Sequence, residues 1–269
     1  MEKARDDSIR DGSINVSRLG ALLLIEIDRA PKRNGFTPEM IAEYSAAISA
    51  YEADETAYCA LLHAAGEHFT AGLDLARATQ VWDRGESLYP AHLHDMFDLR
   101  EPRRRKPLVI AVQGICFTVG VELMLTADIV VAAQDCRFAV SEVTRGIMAC
   151  GGATIRLSGR AGWGNAMRWL LTGDEFDTPT AWRMGIVQEV TAPGAHFEKA
   201  LEIADRIATR AAPLAVLETR ANAQRALAQG EAAAAAQFDS VRAKLRLTAD
   251  AKEGVASFRE KRPAKFTGK

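Results

Sequence analysis

Lys106-Pro107-Leu108-Val109-Ile110-Ala111-Val112-Gln113-Gly114, running on into Ile115-Cys116-Phe117-Thr118-Val119-Gly120-Val121-Glu122-Leu123-Met124-Leu125, is the stretch that decides the fold. Leu108 to Val112 is an unbroken apolar run rich in β-branched residues between a proline and a glycine, the pattern of a strand buried on both faces. A helix is expected from about Val119 to Thr126, then strands at Ile129 to Ala132 and Arg137 to Val140. Strands that alternate with helices predict an α/β core.

Upstream, Ile14 to Val16 and Ala21 to Ile27 read as successive strands around a turn at Ser17-Arg18-Leu19-Gly20. Thr37 is a plausible N-cap with Pro38 at the first helical position, and Met40, Ile41, Tyr44, Ala47, Ile48 and Tyr51 recur at helical spacing. A strand is expected at Tyr58 to His63, and a glycine-containing loop at Gly66 to Gly72. Asp74 to Arg105 is polar and aromatic with weak periodicity, which suggests a mobile lid. From Phe197 onward the chain reads as almost wholly helical, including the alanine run Ala232 to Ala236.

The length of 269 residues and 48% hydrophobic content suffice for a sizeable core. The organisation expected is a core over residues 1–195 that carries the site, followed by a helical segment over 196–269. A formal net charge of −1, from 34 basic against 35 acidic residues, argues against a dedicated nucleic-acid or membrane surface. Met1 to Gly12 has no apolar signal-peptide region and no run approaches a membrane span, so neither secretion nor insertion is expected. Four cysteines without C-x-x-C spacing fit a reducing cytoplasm. The five histidines are scattered without ligand spacing, so no metal site is expected.

The chemistry is expected at Glu122 and Glu142. Glu142 lies twenty residues beyond Glu122, and each follows a segment able to offer backbone N–H groups to an anion. Two carboxylic acids in one apolar pocket can divide acid and base work between them. Glu122 is set among Val121, Leu123, Met124 and Leu125, and a charged group so placed points to a purpose. Glu142 alone is equally consistent with capping the turn Ser141-Glu142-Val143-Thr144.

Four ordered segments resemble the crotonase superfamily, best known for enoyl-CoA hydratases, and the resemblance spans nearly the whole chain. His68-Phe69-Thr70-Ala71-Gly72-Leu73-Asp74-Leu75 is similar to the family's F-[ST]-A-G-x-D-[LI]. Lys106 through Ala132 is similar to its K-P-x-I-A…G-x-x-x-E-L…D-I segment. Arg137-Phe138, Glu142-Val143 and Gly146-Ile147 resemble the following R-F…P-E-V…G-I, and Glu253 through Phe266 resembles the E-G-x-x-x-F-x-E-K-R-x-P-x-F ending.

The resemblance implies an α/β crotonase-like spiral of repeated ββα units with a C-terminal helical trimerisation segment, assembled as a homotrimer or a dimer of trimers. It implies hydration of an enoyl-CoA, with Leu73 and Val119 as oxyanion-hole N–H donors. Glu142 would serve proton transfer at the α-carbon, Glu122 would activate water, and the Cys150 N–H would contact that water. No metal or redox cofactor is implied, and CoA enters as part of the substrate. Trp82, Phe117 and Met148 are expected to line an acyl pocket. Glu67 and Ala76 stand where some relatives have lysines near the CoA phosphates, which leaves Lys32, Arg33, Arg77, Lys261 and Lys265 as the expected CoA-binding cations. The thiol of Cys150 is expected to be structural. Alternatives are an isomerase or a carbon–carbon lyase in the same site, or a noncatalytic acyl-CoA- or RNA-binding protein of this fold.

Overall fold

The computed structural model describes residues 11–269; Met1 to Arg10, within the charged stretch read above, lie outside the described residues. β1 (Ser13–Leu19) and β2 (Leu22–Asp28) form an antiparallel hairpin. The turn expected over Ser17–Gly20 is shorter than the sequence suggests: Arg18 pairs with Leu23 and Leu19 with Leu22, so the reversal is confined to Gly20 and Ala21. Gly20, at φ 59°, permits this, because the twist of paired strands favours two-residue turns with a positive φ at the first central position.

α1 (Pro38–Ala53) starts as its sequence predicts, with the Thr37 hydroxyl accepting from the Met40 N–H and Pro38 opening the helix. β3 (Cys59–Ala64), α2 (Leu75–Trp82), β4 (Leu108–Val112), β5 (Ile115–Phe117), α3 (Val119–Met124), β6 (Ile129–Ala133) and β7 (Arg137–Ala139) follow. Next come α4 (Ala153–Ala161), α5 (Trp163–Leu170), β8 (Phe176–Asp177), α6 (Thr178–Arg183) and β9 (Glu189–Thr191). The chain ends in α7 (His196–Arg210), α8 (Pro213–Gln229), α9 (Glu231–Ala235), α10 (Phe238–Arg246) and α11 (Ala249–Glu260).

The main sheet has the order β1-β2-β3-β4-β6-β9, parallel from β2 onward, and a smaller sheet has the order β5-β7-β8. The unbroken apolar runs of β4 and β6, and the run over residues 59–62 of β3, follow from burial on both faces. Leu61, Val109, Ala111 and Val131 face one side, where Ala200, Ala204 and Ala208 of α7 cover them. Leu62, Ile110, Val112, Val130 and Ala132 face the principal core with α1. The three alanines fall at i, i+4 and i+8, a single stripe of small side chains on one face of the helix. The core layer therefore continues past residue 195 as far as α7. Beyond it burial declines, for α8 buries only Pro213 and α10 buries nothing.

Asp74 to Arg105 has more structure than its weak periodicity suggests. The Asp74 carboxylate caps α2 by accepting from the Arg77 N–H, and the irregular chain that follows buries Leu88, Met96 and Phe97. Arg104, also buried, pairs with Asp128 at 2.9 Å, and the other oxygen of Asp128 takes Arg220 of α8.

Candidate active site

Three segments converge on a cavity of about 650 Å³. Ala71 and Leu73 come from the loop after β3, Thr118, Val119 and Glu122 from the start of α3, and Ser141, Glu142, Arg145, Ile147, Met148, Cys150 and Gly151 from the loop after β7; Leu75 and Trp82, the two ends of α2, and Tyr89 complete the wall. The structure thus brings together Glu122, Glu142, Leu73, Val119, Cys150, Trp82 and Met148.

The first loop is locked before it reaches the cavity. Asn34, buried at φ 55°, accepts from the Arg29 N–H and donates to the carbonyls of Ala65 and His68. Thr70 donates its hydroxyl to the Asn34 carbonyl and accepts from the Gly72 N–H. Leu73 sits in a parallel bridge to Phe36, whose N–H donates to Gly72 O while Asp74 N–H donates to Phe36 O. A residue flanked in this way directs its own N–H away from the bridging partner. Among the described residues, the Leu73 N–H donates to nothing.

Among the described residues the Val119 N–H is also without a partner, for a different reason. It is the first residue of α3, and the first N–H groups of a helix have no partner within it. Both N–H groups follow a residue with positive φ, Gly72 at 106° and Thr118 at 48°. Thr118, with ψ −108°, occupies a region that a β-branched residue rarely enters, and such strain persists where surroundings enforce it. Here the Ala139 carbonyl accepts from the Thr118 N–H at 2.7 Å. A methyl group added at Gly72 would fall 2.0 Å from the Thr118 hydroxyl oxygen, so the two loops meet where only glycine fits.

Glu122 is 3% exposed and accepts from the N–H groups of Gly151 at 2.6 Å and Ala153 at 3.3 Å. Burial raises its pKa to about 7; the Ala153 and Gly151 N–H groups and Arg156 pull it down, and Glu142 pushes it up. The clasp depends on Gly151, since a Cβ there would lie 2.4 Å from Glu122 Oε2. Glu142 opens a 3-10 turn, Glu142–Arg145, and burial raises its pKa too. Its Oε2 is enclosed yet has no hydrogen-bond partner among the described residues. Two carboxyls of raised pKa therefore share the cavity, one clasped and one with an open valence.

The other expected site residues separate. Phe117 is absent from the cavity wall: it is the last residue of β5 and pairs with Ala139, while the residue after the strand, Thr118, lines the cavity. Cys150 lines the cavity, but the N–H bonded to Glu122 belongs to the next residue, Gly151; the Cys150 thiol donates to the Met148 carbonyl at 3.3 Å. Lys32 and Arg33 are exposed, and the Arg33 carbonyl accepts from the Ala71 N–H, which places this pair beside the cavity loop. Arg77 is engaged by Asp11 at 3.2 Å and Glu39 at 3.3 Å. Lys261 and Lys265 are exposed on a tail that docks through Thr267 O on the Tyr58 hydroxyl, just before β3 begins, whereas the cavity loop follows the end of β3. Within one chain they do not join the site. No cluster of potential metal ligands occurs among the described residues.

Tyr89, Arg145 and Gly151 are contributors that sequence reasoning missed. The paired glycines Gly151-Gly152 were the available signal for the clasp. Tyr89 is half-buried, stacks edge-on against Phe97, and has its phenol pushed up to about 12 by burial and then by Glu122.

An α/β core that holds two carboxyls of raised pKa beside two backbone N–H groups without a partner among the described residues has the parts that acid–base chemistry on a carbonyl compound requires. The chain belongs to the enoyl-CoA hydratase/isomerase family, whose profile matches residues 18–269. It is 32% identical to enoyl-CoA hydratase EchA19 of Mycobacterium tuberculosis over 256 residues, 93% of this chain and 95% of that protein. The mevalonyl-coenzyme A hydratase sidH of Aspergillus fumigatus is also 32% identical, over 246 residues, 90% of this chain and 89% of that one. The crystal structure of a probable enoyl-CoA hydratase/isomerase from Mycobacterium abscessus matches with a TM-score of 0.90 at 42% identity, covering 95% of this chain and 98% of that one. The crotonase fold expected from the sequence is therefore the fold of this chain.

Proposed function

We propose that this protein is an enoyl-CoA hydratase that adds water reversibly, in syn fashion, across the double bond of a 2-enoyl-CoA thioester. The observation that carries the reading is the meeting of Glu122 and Glu142 in one cavity, both with raised pKa values. The thioester oxygen lies between the Leu73 and Val119 N–H groups, which stabilise the negative charge that develops as the enolate forms. Glu122 accepts a proton from water as the water oxygen bonds to the β-carbon, and Glu142 delivers a proton to the α-carbon on the same face. Electrons move from water through the conjugated system to the enolate oxygen and return to form the α C–H bond. Neither a metal nor a redox cofactor enters this scheme, and CoA is part of the substrate.

Retention of both acids favours hydration over a double-bond shift, which needs only one proton-transfer group. In this reading Lys32 and Arg33 meet the CoA phosphates beside the cavity loop. The sparsely buried helices α8 to α11 leave Leu227, Leu247 and Phe258 between 81% and 90% exposed, which fits packing against neighbouring subunits in a trimer or a dimer of trimers. Lys261 and Lys265 would then act at another subunit's site.

A panel of 2-enoyl-CoA thioesters tests the reading, with loss of the conjugated thioester followed by absorbance and the product identified by mass. A 3-hydroxyacyl-CoA product is expected. A shifted double bond, a cleaved carbon chain, or salt-sensitive RNA binding without turnover would reject it.

A further inference from the structure

The cavity holds a charge that the hydration scheme does not use. Among the described residues, Arg145 is the only basic residue on the wall, and its side chain makes no ion pair or hydrogen bond. It also belongs to the same 3-10 turn as Glu142, three residues on. Side chains at i and i+3 of a 3-10 helix eclipse, so Arg145 stands on the face of Glu142, about 6 Å further along the axis. The surrounding wall is apolar: Leu75, Trp82, Ile147 and Met148. The proposed thioester anchor lies on two other segments, at Leu73 and Val119. A guanidinium offers a planar fork that matches a carboxylate.

We infer that Arg145 is a specificity residue that receives a carboxylate on the acyl chain, so that the preferred substrate is a short dicarboxylic 2-enoyl-CoA. The inference rests on the hydratase reading for the orientation of the acyl group. The carboxylate belongs a few carbons beyond the α-carbon that Glu142 serves. It supplies the partner that Arg145 lacks, and its charge would otherwise meet two glutamates in an apolar wall. The CoA phosphates are the other anions within the substrate, and two thioesters that share CoA but differ in the acyl terminus separate the two.

The test compares hex-2-enoyl-CoA with hex-2-enedioyl-CoA, which differ only by the terminal carboxylate, on wild type, Arg145→Met and Arg145→Lys. Wild type should favour the dicarboxylic substrate by about 10–100-fold in kcat/KM, the range of a hydrogen bond to a charged group. Most of this should appear in KM. Arg145→Met should lose the preference while turning over hex-2-enoyl-CoA as wild type does, and Arg145→Lys should keep part of it. Equal use of both substrates by wild type overturns the inference, as does an equal loss on both in Arg145→Met, which would mark a contact with CoA. If wild type hydrates neither thioester, the hydratase reading fails separately. Calorimetry with the same two compounds then decides on Arg145: tighter binding of the dicarboxylic one, abolished in Arg145→Met, upholds the carboxylate site, and equal binding removes it.

Discussion

Glu122 and Glu142 share a cavity but are held in opposite ways. Glu122 is enclosed by α3 and by the start of α4, and one of its oxygens takes two backbone N–H groups. Glu142 stands on a short 3-10 turn, half-buried, with a carboxyl oxygen that no described group satisfies. A clasped carboxyl has a fixed orientation and a pKa set by competition between burial and donors. An unclasped one can follow a reacting carbon. The difference teaches that like residues in one pocket are made unlike by the backbone around them, and it supports the roles proposed above, water activation for Glu122 and α-carbon protonation for Glu142.

The comparison breaks most readily by neutralising each acid in turn. Glu122→Gln and Glu142→Gln should each lower hydration by about 10²–10⁴-fold, the usual loss of a general acid or base, without loss of fold. Near-native turnover by either purified variant would end the two-glutamate mechanism. A finer probe is Gly151→Ala, whose methyl group would collide with Glu122 Oε2 and unseat the clasp without touching Glu142. It should reduce kcat more than KM, and a crystal structure would show Glu122 displaced.

The oxyanion assignment is tested at Val119. Proline deletes that N–H and should cost about 10²–10³-fold in turnover. As the first helical residue, Val119 has no intrahelical bond to lose there, although proline restricts Thr118 before it, already at φ 48°. Val119→Gly keeps the donor and should keep the activity. A proline variant that is folded by circular dichroism and sedimentation, yet as fast as wild type, would remove Val119 from the oxyanion hole.

Much of this was legible in sequence where local chemistry governs. Thr37-Pro38 announces α1, and the apolar runs announce β4 and β6. β5, β8 and β9, two or three residues each, escape such reading because their pairing partners define them. The same holds in the site. Glu122 stands out by its apolar neighbours and the family-like spacing, but its partner, the Gly151 N–H, is a backbone group brought from twenty-nine residues away. Phe117 and Thr118 differ by one position, and the cavity takes Thr118, where β5 has ended and the backbone turns to a positive φ. Arg145 resembles any surface arginine until the turn aligns it with Glu142.

The smallest expected effect concerns stability. Glu122 titrates at about 7 in the folded protein against an ordinary 4.5. Between those values the folded state retains a proton that the unfolded chain has released, so stability falls as pH rises through that window, and above pH 7 the ionised carboxylate persists at a cost of up to ~3 kcal/mol. Glutamine at this position stays neutral and still accepts from Gly151 and Ala153. Glu122→Gln should therefore melt with wild type near pH 4.5 and several degrees above it at pH 8, at equal protein concentration. Glu142 contributes its negative charge to the elevation, so Glu142→Gln should move the Glu122 titration to lower pH, observable by carbon NMR of the carboxyl. A melting difference that did not change with pH would mean that burial is not what raises Glu122, and the contrast between a clasped and an open carboxyl would lose its electrostatic basis.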